Sequence, residues 1–479
     1  MKKVKIIKCY QVSPTRCRVN REGRLAIKEC FLYDKTYWKR QPGKRRKEET
    51  IKDQYLITGH DKTGGSFWSG SFKRCQEVLA KRKIKLVLKV PQKLIDIVEV
   101  ERPPKLAGVT FRPDQLKAID STGDNYFGRI LAPTRSGKSF VQLGIASQFP
   151  SANILLLAHT KDLVDQLARG AYKYSANLPR LIFPKGARSI EKHLASMPTN
   201  PAFMICTIQS MSRVPPEKYG HIFDIVMIDE AHRVNKVKSM YGNFLTQSVI
   251  PRRYGFTATL PTTPEQELIN EGLLGPIIAE LTYGEAIEKG IIANPMVITK
   301  SVPYDNKINA SCRSYQDYYD NAITKNEYRN LIITDIVRES HEKNLPTLVI
   351  VERIEHGKLL KKTIRRKLGI RVPFVKGSTD DDMRGTRLNR IIEGKELITI
   401  CSRIWMEGMT MQNLLVVVYA AAMKEKKRIL QAMGRGLGVT ASKSKVTLYD
   451  FLDPYRYLAE HSIIRFQTYL EEGWIKWTS

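Results

Sequence analysis

No uninterrupted apolar stretch in these 479 residues approaches the roughly 20 needed for a membrane-spanning helix, which excludes a helical membrane protein. Cysteine is sparse and unpatterned. The seven residues, Cys9, Cys17, Cys30, Cys75, Cys206, Cys312 and Cys401, form no C-x-x-C pair, so neither a disulfide framework nor a zinc ribbon is expected. Free thiols in a reducing compartment are expected instead. The start, Met1-Lys2-Lys3-Val4-Lys5-Ile6-Ile7-Lys8, is basic, but lysines break up its apolar residues and no signal-peptide core forms, so a cytoplasmic location is expected. Acidic residues are outnumbered, 48 against 79 basic ones, for a net charge of +31. The imbalance is steepest in residues 1–105, which hold 28 Lys+Arg and 11 Asp+Glu. A basic surface of this size is the electrostatic footprint of a phosphate-backbone binder. There is no residue-level repeat and no long low-complexity segment.

Two short segments carry the chemistry. Ala132-Pro133-Thr134-Arg135-Ser136-Gly137-Lys138-Ser139 is the phosphate loop G-x-x-x-x-G-K-[ST] with alanine in place of the first glycine. An apolar run ending at Ala132 precedes it, and the helix-compatible residues 138–149 follow. Such a loop, through Thr134, Arg135, Ser136 and Gly137, places backbone N–H groups around a β-phosphate at the positive end of the next helix. Lys138 would then reach the β and γ oxygens of ATP, and Ser139 would ligate Mg2+. Far downstream, Asp229-Glu230-Ala231-His232 follows residues 222–228, a run apolar enough for a buried parallel strand. Asp229 would share the Mg2+, and Glu230 would polarise the attacking water. Each segment alone is a weak signal. In this order, each after an apolar strand, they indicate a nucleotide-driven motor.

Three regions are expected. Residues 1–105 read as a small basic α+β domain, with strands over 3–12, 24–33, 54–58 and 85–90 and a helix over 72–82. Its densest basic cluster contains Lys44, Arg45 and Arg46, candidate DNA contacts. The aromatics Tyr37, Trp38, Phe67 and Trp68 fit either nucleic-acid contact or core packing. After a linker at Arg102-Pro103-Pro104, residues 106–294 alternate apolar strand and amphipathic helix, which gives a doubly wound parallel sheet. Residues 295–479 repeat that alternation without a phosphate loop.

The motif series resembles superfamily 2 helicases and translocases of the DEAH type. This implies an α/β fold of two tandem RecA-like domains behind the small basic domain. Gln115 is similar to that family's adenine-reading glutamine, and Arg112 stands where it would stack on or pair with the base. His232, Thr257 and Thr259 resemble the coupling residues that relay nucleotide state. Thr160, Lys161, Thr207 and Gln209 in the first domain, and Arg353, Lys376 and Ser378 in the second, occupy the places of strand-contacting motifs. Gly408, Gln431 and Arg435 match the later nucleotide motifs, with Arg435 as the arginine finger. Residues 253–261 and 447–453 are most similar to the branch of phage UvsW-like branch-migration helicases, XPB and restriction motors. The resemblance spans residues 106–455. It implies ATP and Mg2+ as cofactors, branched or partly single-stranded DNA as partner, and no obligate protein partner.

Two positions depart from the family pattern. Gly438 stands where a second arginine usually faces the γ-phosphate, and Thr410 where aspartate is common. Loss of one charge in a dry site can slow phosphoryl transfer by orders of magnitude unless Arg428, Lys443 or Lys445 substitutes. Three other readings stay open: an RNA helicase, a restriction-type motor subunit whose nuclease or methyltransferase lies in a partner, and an ATP-gated binding protein that hydrolyses slowly.

Overall fold

The computed structural model describes residues 5–13, 16–39, 47–54, 64–89, 99–375, 390, 395–402, 413–424 and 445–475. They form two compact units, Met1–Ala132 with Gly137–Glu280, and Leu281–Ser479 with Pro133–Ser136. The architecture is α/β: two parallel sheets and a small mixed sheet at the amino-terminal end. Among the described residues no helix is long and apolar enough to cross a membrane. All seven cysteines are buried and free.

The first six strands are β1 (Lys5–Ser13), β2 (Arg16–Val19), β3 (Leu32–Lys39), β4 (Lys47–Gln54), β5 (Gly65–Trp68) and β6 (Ile84–Lys89). Four of them form a sheet in the order β5-β2-β1-β6, while β3 and β4 make a separate antiparallel pair. In β1 and β2 alternate residues, Ile7, Cys9, Cys17 and Val19, point into a core closed by Ile27, Phe31, Cys75 and Leu79. Phe67 and Trp68, 0% and 4% exposed, belong to cores, which settles their role as packing.

One expectation fails here. Residues 24–33 do not form a strand: the chain makes a helix at Arg21–Ile27 and a 3-10 turn at Lys28–Phe31, and only Leu32 begins a strand. The side chain of Asn20 caps that helix, accepting a hydrogen bond from Gly23 N at 2.8 Å. The buried positions Gly23, Ile27, Cys30 and Phe31 recur every three to four residues, a helical period that the β-prone composition masked. The expected strand over 54–58 coincides with β4 only at Gln54, and residues 55–58 lie outside the described ones.

The large sheet of the same unit contains β7 (Phe127–Leu131), β8 (Ile154–Ala158), β9 (Arg180–Ile182), β10 (Ala202–Thr207), β11 (Ile225–Asp229), β12 (Arg252–Thr257) and β13 (Ile277–Glu280). All are parallel, in the order β13-β7-β12-β11-β8-β10-β9. Leu155, Leu157, Met204, Cys206, Val226 and Ile228 face one core, and Ile154, Leu156, Phe203, Ile205, Ile225 and Met227 the other. Burial on both faces is why these strands read as continuous apolar runs. The chain leaves β7, passes over two places to form β8, and returns later to fill the gap with β11 and β12. That insertion brings Asp229 and Thr257 beside the phosphate loop.

The second unit contains β14 (Asn294–Ser301), β15 (Thr347–Val351), β16 (Phe374–Val375), β17 (Ile398–Ser402), β18 (Val416–Tyr419) and β19 (Lys445–Leu452). These too are all parallel, in the order β14-β19-β18-β15-β17-β16. Charges are buried beside this sheet in matched pairs. Arg329 Nε donates to Asp453 at 2.8 Å, and Arg465 Nε donates to Asp450 at 2.8 Å. Asp450 also accepts from the Tyr469 hydroxyl at 2.5 Å.

Candidate nucleotide site and nucleic-acid rim

The phosphate loop leaves β7 with its pairing to β12 extended by one bond, from Ala132 N to Thr257 O at 3.0 Å. Within it the Ser136 hydroxyl donates to Pro133 O at 2.8 Å, and Arg135 takes a positive φ of 75°. Gly137 takes a left-handed conformation, φ 89° and ψ 31°, at the cap of the helix Lys138–Gln148. A Cβ there would lie 2.6 Å from Gln115 Nε2, so conformation and space both require glycine. The same contact places Gln115, the adenine-reading candidate, against the loop. Gln115 Oε1 accepts from Arg112 N at 3.1 Å, and the Arg112 guanidinium forks onto Asp114 at 3.0 and 2.9 Å. Lys138 Nζ donates to Ala132 O at 2.9 Å, folding back over its own loop. Ser139 is exposed on the first helical turn, where Phe140 N donates to Gly137 O at 3.0 Å.

Asp229 stands at the carboxyl end of β11, where open α/β sheets bind ligands. Gln142, one turn beyond Lys138, donates to Asp229 Oδ1 at 3.3 Å. Burial, with the like charge of Glu230 next, pushes the Asp229 carboxyl up to about 6, against the pull of Lys138 and Gln142. Glu230 has a left-handed backbone, φ 52° and ψ 51°, an uncommon conformation for a residue with a side chain. Its carboxylate lies 3.3 Å from His232 Nδ1, which is 3.0 Å from the Thr257 hydroxyl. Thr257 gives its one hydroxyl proton to Thr259 O at 2.7 Å, so it accepts from His232, and the proton is assigned to Nδ1. A continuous path therefore joins Glu230, His232, Thr257 and Thr259. The donor set, a strand-end carboxylate and an exposed hydroxyl of Ser139 with two carboxylates short of counter-charge, fits a hard divalent cation such as Mg2+.

Further along the same edge, the Thr160 hydroxyl caps the helix Lys161–Lys173, accepting from Leu163 N at 3.3 Å. On the neighbouring strand Thr207 caps Ile208–Met211, accepting from Ser210 N at 3.2 Å. Gln209 Nε2 donates to His159 O at 2.9 Å and ties the two caps together, with Lys161 exposed beside them. In the second unit, Arg353 precedes the helix Ile354–Leu368, forms an ion pair with Asp320 and lies 4.5 Å over the Tyr319 ring. Lys44, Arg45, Arg46, Lys376, Ser378, Gly408, Gln431 and Arg435 lie outside the described residues.

Sequence reasoning missed three polar residues that touch this machinery. Gln142 bonds Asp229. Asn270, in the helix Pro264–Leu274, donates to Ala231 O and Val234 O. Arg129, 2% exposed in β7, bonds that helix and the glycine after it. A charge inside an otherwise apolar strand was the available signal for Arg129.

Residues 108–262 match the family described as type III restriction enzyme, res subunit, and residues 328–437 match the helicase conserved C-terminal domain. The chain belongs to helicase superfamily 2. This superfamily 2 chain is 24% identical over 364 residues to the ATP-dependent DNA helicase uvsW of Enterobacteria phage T4, covering 71% of each chain. It is 27% identical over 349 residues to a helicase-named protein of Sulfolobus islandicus filamentous virus (isolate Iceland/Hveragerdi), covering 68% of this chain and 60% of that one. The solved structure of the ATP-dependent Type ISP restriction-modification enzyme LlaBIII bound to DNA shares the fold, with a TM-score of 0.59 and 15% identity. It covers 83% of this chain and 32% of that one. The two sheets are RecA-like, and the helicase family uses ATP with Mg2+.

Proposed function

We propose that the chain is an ATP-dependent DNA helicase or translocase that remodels branched or partly single-stranded DNA in phage or bacterial recombination, replication or repair. One observation carries this reading: the phosphate loop, the Asp229–Glu230 pair and the Thr160–Thr207 rim lie along one carboxyl edge of one parallel sheet. Hydrolysis and strand contact then share a rigid platform. The name of the phage relative and the +17 excess of basic over acidic residues in 1–105 support DNA as the polymer.

In this reading Lys138 holds the phosphates as a point charge, and Ser139 and Asp229 hold Mg2+, which neutralises the β and γ oxygens when bound. Glu230 orients the attacking water, with His232 fixing its carboxylate. The His232–Thr257–Thr259 path carries the loss of the γ-phosphate toward the strand contacts. Gln115 and Arg112 read the base; the fork of Arg112 already lies on Asp114. Arg435 acts as the finger with Gln431, and Gly438 leaves it without a neighbouring arginine.

The test measures ATP turnover with forked DNA, duplex DNA and RNA side by side, together with unwinding of the fork. Forked DNA is expected to stimulate turnover most and to be unwound only with ATP. Stronger stimulation by RNA, or turnover indifferent to every nucleic acid, overturns the reading.

A further inference from the structure

The acidic turn that ends β11 is closed by Arg233 N donating to Glu230 O and Val234 N donating to Ala231 O, each at 3.0 Å, and is held from outside as well. Its left-handed residue, Glu230, and the 3-10 turn Ala231–Arg233 that follows expose two carbonyl groups, Ala231 O and Val234 O, to the helix Pro264–Leu274. Asn270 of that helix, fully buried, donates to both, at 2.7 and 3.0 Å. Its Oδ1 accepts from Arg129 Nη1 at 3.0 Å. Every hydrogen-bonding direction shown for this side chain is therefore used, and only an amide offers two donors and an acceptor in one plane. Arg129 extends the node. It donates to Glu267 at 2.6 Å and to Gly275 O at 2.7 Å, joining the strand that feeds the phosphate loop to both ends of the helix.

The next residue of this helix is fastened to the amino-terminal domain. Arg74 forks onto Glu271, at 3.0 Å through Nε and 2.5 Å through Nη2. A Cβ on Gly70 would lie 2.4 Å from Glu271 O, and one on Gly272 would lie 3.0 Å from Trp68, so the two backbones meet at glycine distance. Neighbouring residues of one helix, Asn270 and Glu271, thus face the acidic turn and the amino-terminal domain.

We propose that the helix Pro264–Leu274 is a brace through which the amino-terminal domain sets the geometry of the ATP site, with Asn270 as the positioning residue for the Asp229–Glu230 turn. The proposal rests on the ATPase reading above. It adds a route by which a domain with no catalytic motif alters turnover without touching nucleotide. Displacing the turn misaligns Glu230 with the attacking water, and the cost falls on the chemical step and not on ATP binding.

The full chain carries the test. Asn270→Asp keeps the shape and replaces the donating nitrogen by an oxygen facing two carbonyls. Asn270→Ser serves in its place if that variant fails to fold. At saturating forked DNA the Asn270 variant is expected to lower kcat about 100-fold with KM for ATP changed less than about threefold. Arg74→Gln, half-exposed at the surface, is expected to lower kcat about fivefold with DNA affinity unchanged, and the double variant to be no slower than the Asn270 variant alone. A folded Asn270 variant with wild-type kcat, a loss of kcat and KM together with melting temperature, or additive effects of the two substitutions would overturn the brace. Absence of ATP turnover in the wild type would instead reject the ATPase reading itself.

Discussion

The two parallel sheets hold acidic side chains in different surroundings. Beside the second, two buried guanidiniums among the described residues each touch a carboxylate: Arg329 with Asp453, and Arg465 with Asp450, which also accepts from Tyr469. At the edge of the first, Asp229 and Glu230 stand side by side with Lys138 folded onto a carbonyl, and the burial of Asp229 holds its proton up to about pH 6. Matched charges hold helices to a sheet. At the strand end of the first sheet Glu230 also takes a positive φ of 52°, one of several such non-glycine residues among those described. The Asp229–Glu230 pair thus differs from the ion-paired Asp450 and Asp453 of the second sheet.

The largest expected effect is on function in the first sheet. Lys138→Ala should abolish ATP turnover while melting temperature and DNA binding stay near wild type, since in the proposed reading its charge serves the phosphates and other residues contact DNA. A large fall in melting temperature would make this charge structural and erase the contrast. The second sheet should behave inversely. Asp450→Ala strands a buried guanidinium and should cost roughly 3–5 kcal/mol in denaturant unfolding, as breaking one partner of a buried pair does. A loss below about 1 kcal/mol would mean that the pair is not matched in the sense used here.

Two smaller effects follow from titration. Mg2+ with ATP needs an ionised Asp229, so apparent Mg2+ affinity should fall about tenfold per pH unit below about 6. Glu230→Gln removes the like charge and should move that midpoint downward; a midpoint unmoved in a Mg2+ titration would remove Glu230 as a cause. In the second unit His356 is buried, donates through Nε2 to Asn330 Oδ1 at 2.9 Å, and is pushed down to about 3 by burial and then by the Arg329 charge. Asn330 Oδ1 can only accept, so a proton sits on Nε2, and the lowered value leaves the imidazole neutral near pH 7. Its folded value lies below its unfolded one, so its stabilising contribution is complete above about pH 6.5 and is lost as pH falls toward 3. His356→Gln should flatten the acid limb of the stability curve by about one proton's slope, and an unchanged slope would place the acid sensitivity elsewhere.

The first sheet was legible because β8, β10 and β11 are buried on both faces and read as apolar runs, and because the loop and the acidic motif each follow such a run. The helix at Arg21–Ile27 was not, because a cap from Asn20 outweighed a β-prone composition. The polar frame around the site was invisible for a different reason. Arg129 meets Gly275 from 146 positions away, and Arg329 meets Asp453 from 124, so no local pattern announces either partner. Spacing along the chain reveals what a strand end presents, but not what braces it from behind.

The late return of the chain to fill the slot between β7 and β8 has a temporal side. The strand carrying the phosphate loop is complete at Leu131, but its neighbour β12 is complete only at Thr257. During synthesis the loop waits beside an open slot while more than a hundred further residues emerge, and such non-local pairing is slow to close. Nucleotide therefore finds no finished site on a nascent chain that stops short of β12. In the proposed reading, a chain that ends before β12 lacks both the strand paired with β7 and the bond from Ala132 N to Thr257 O, and should not turn over ATP.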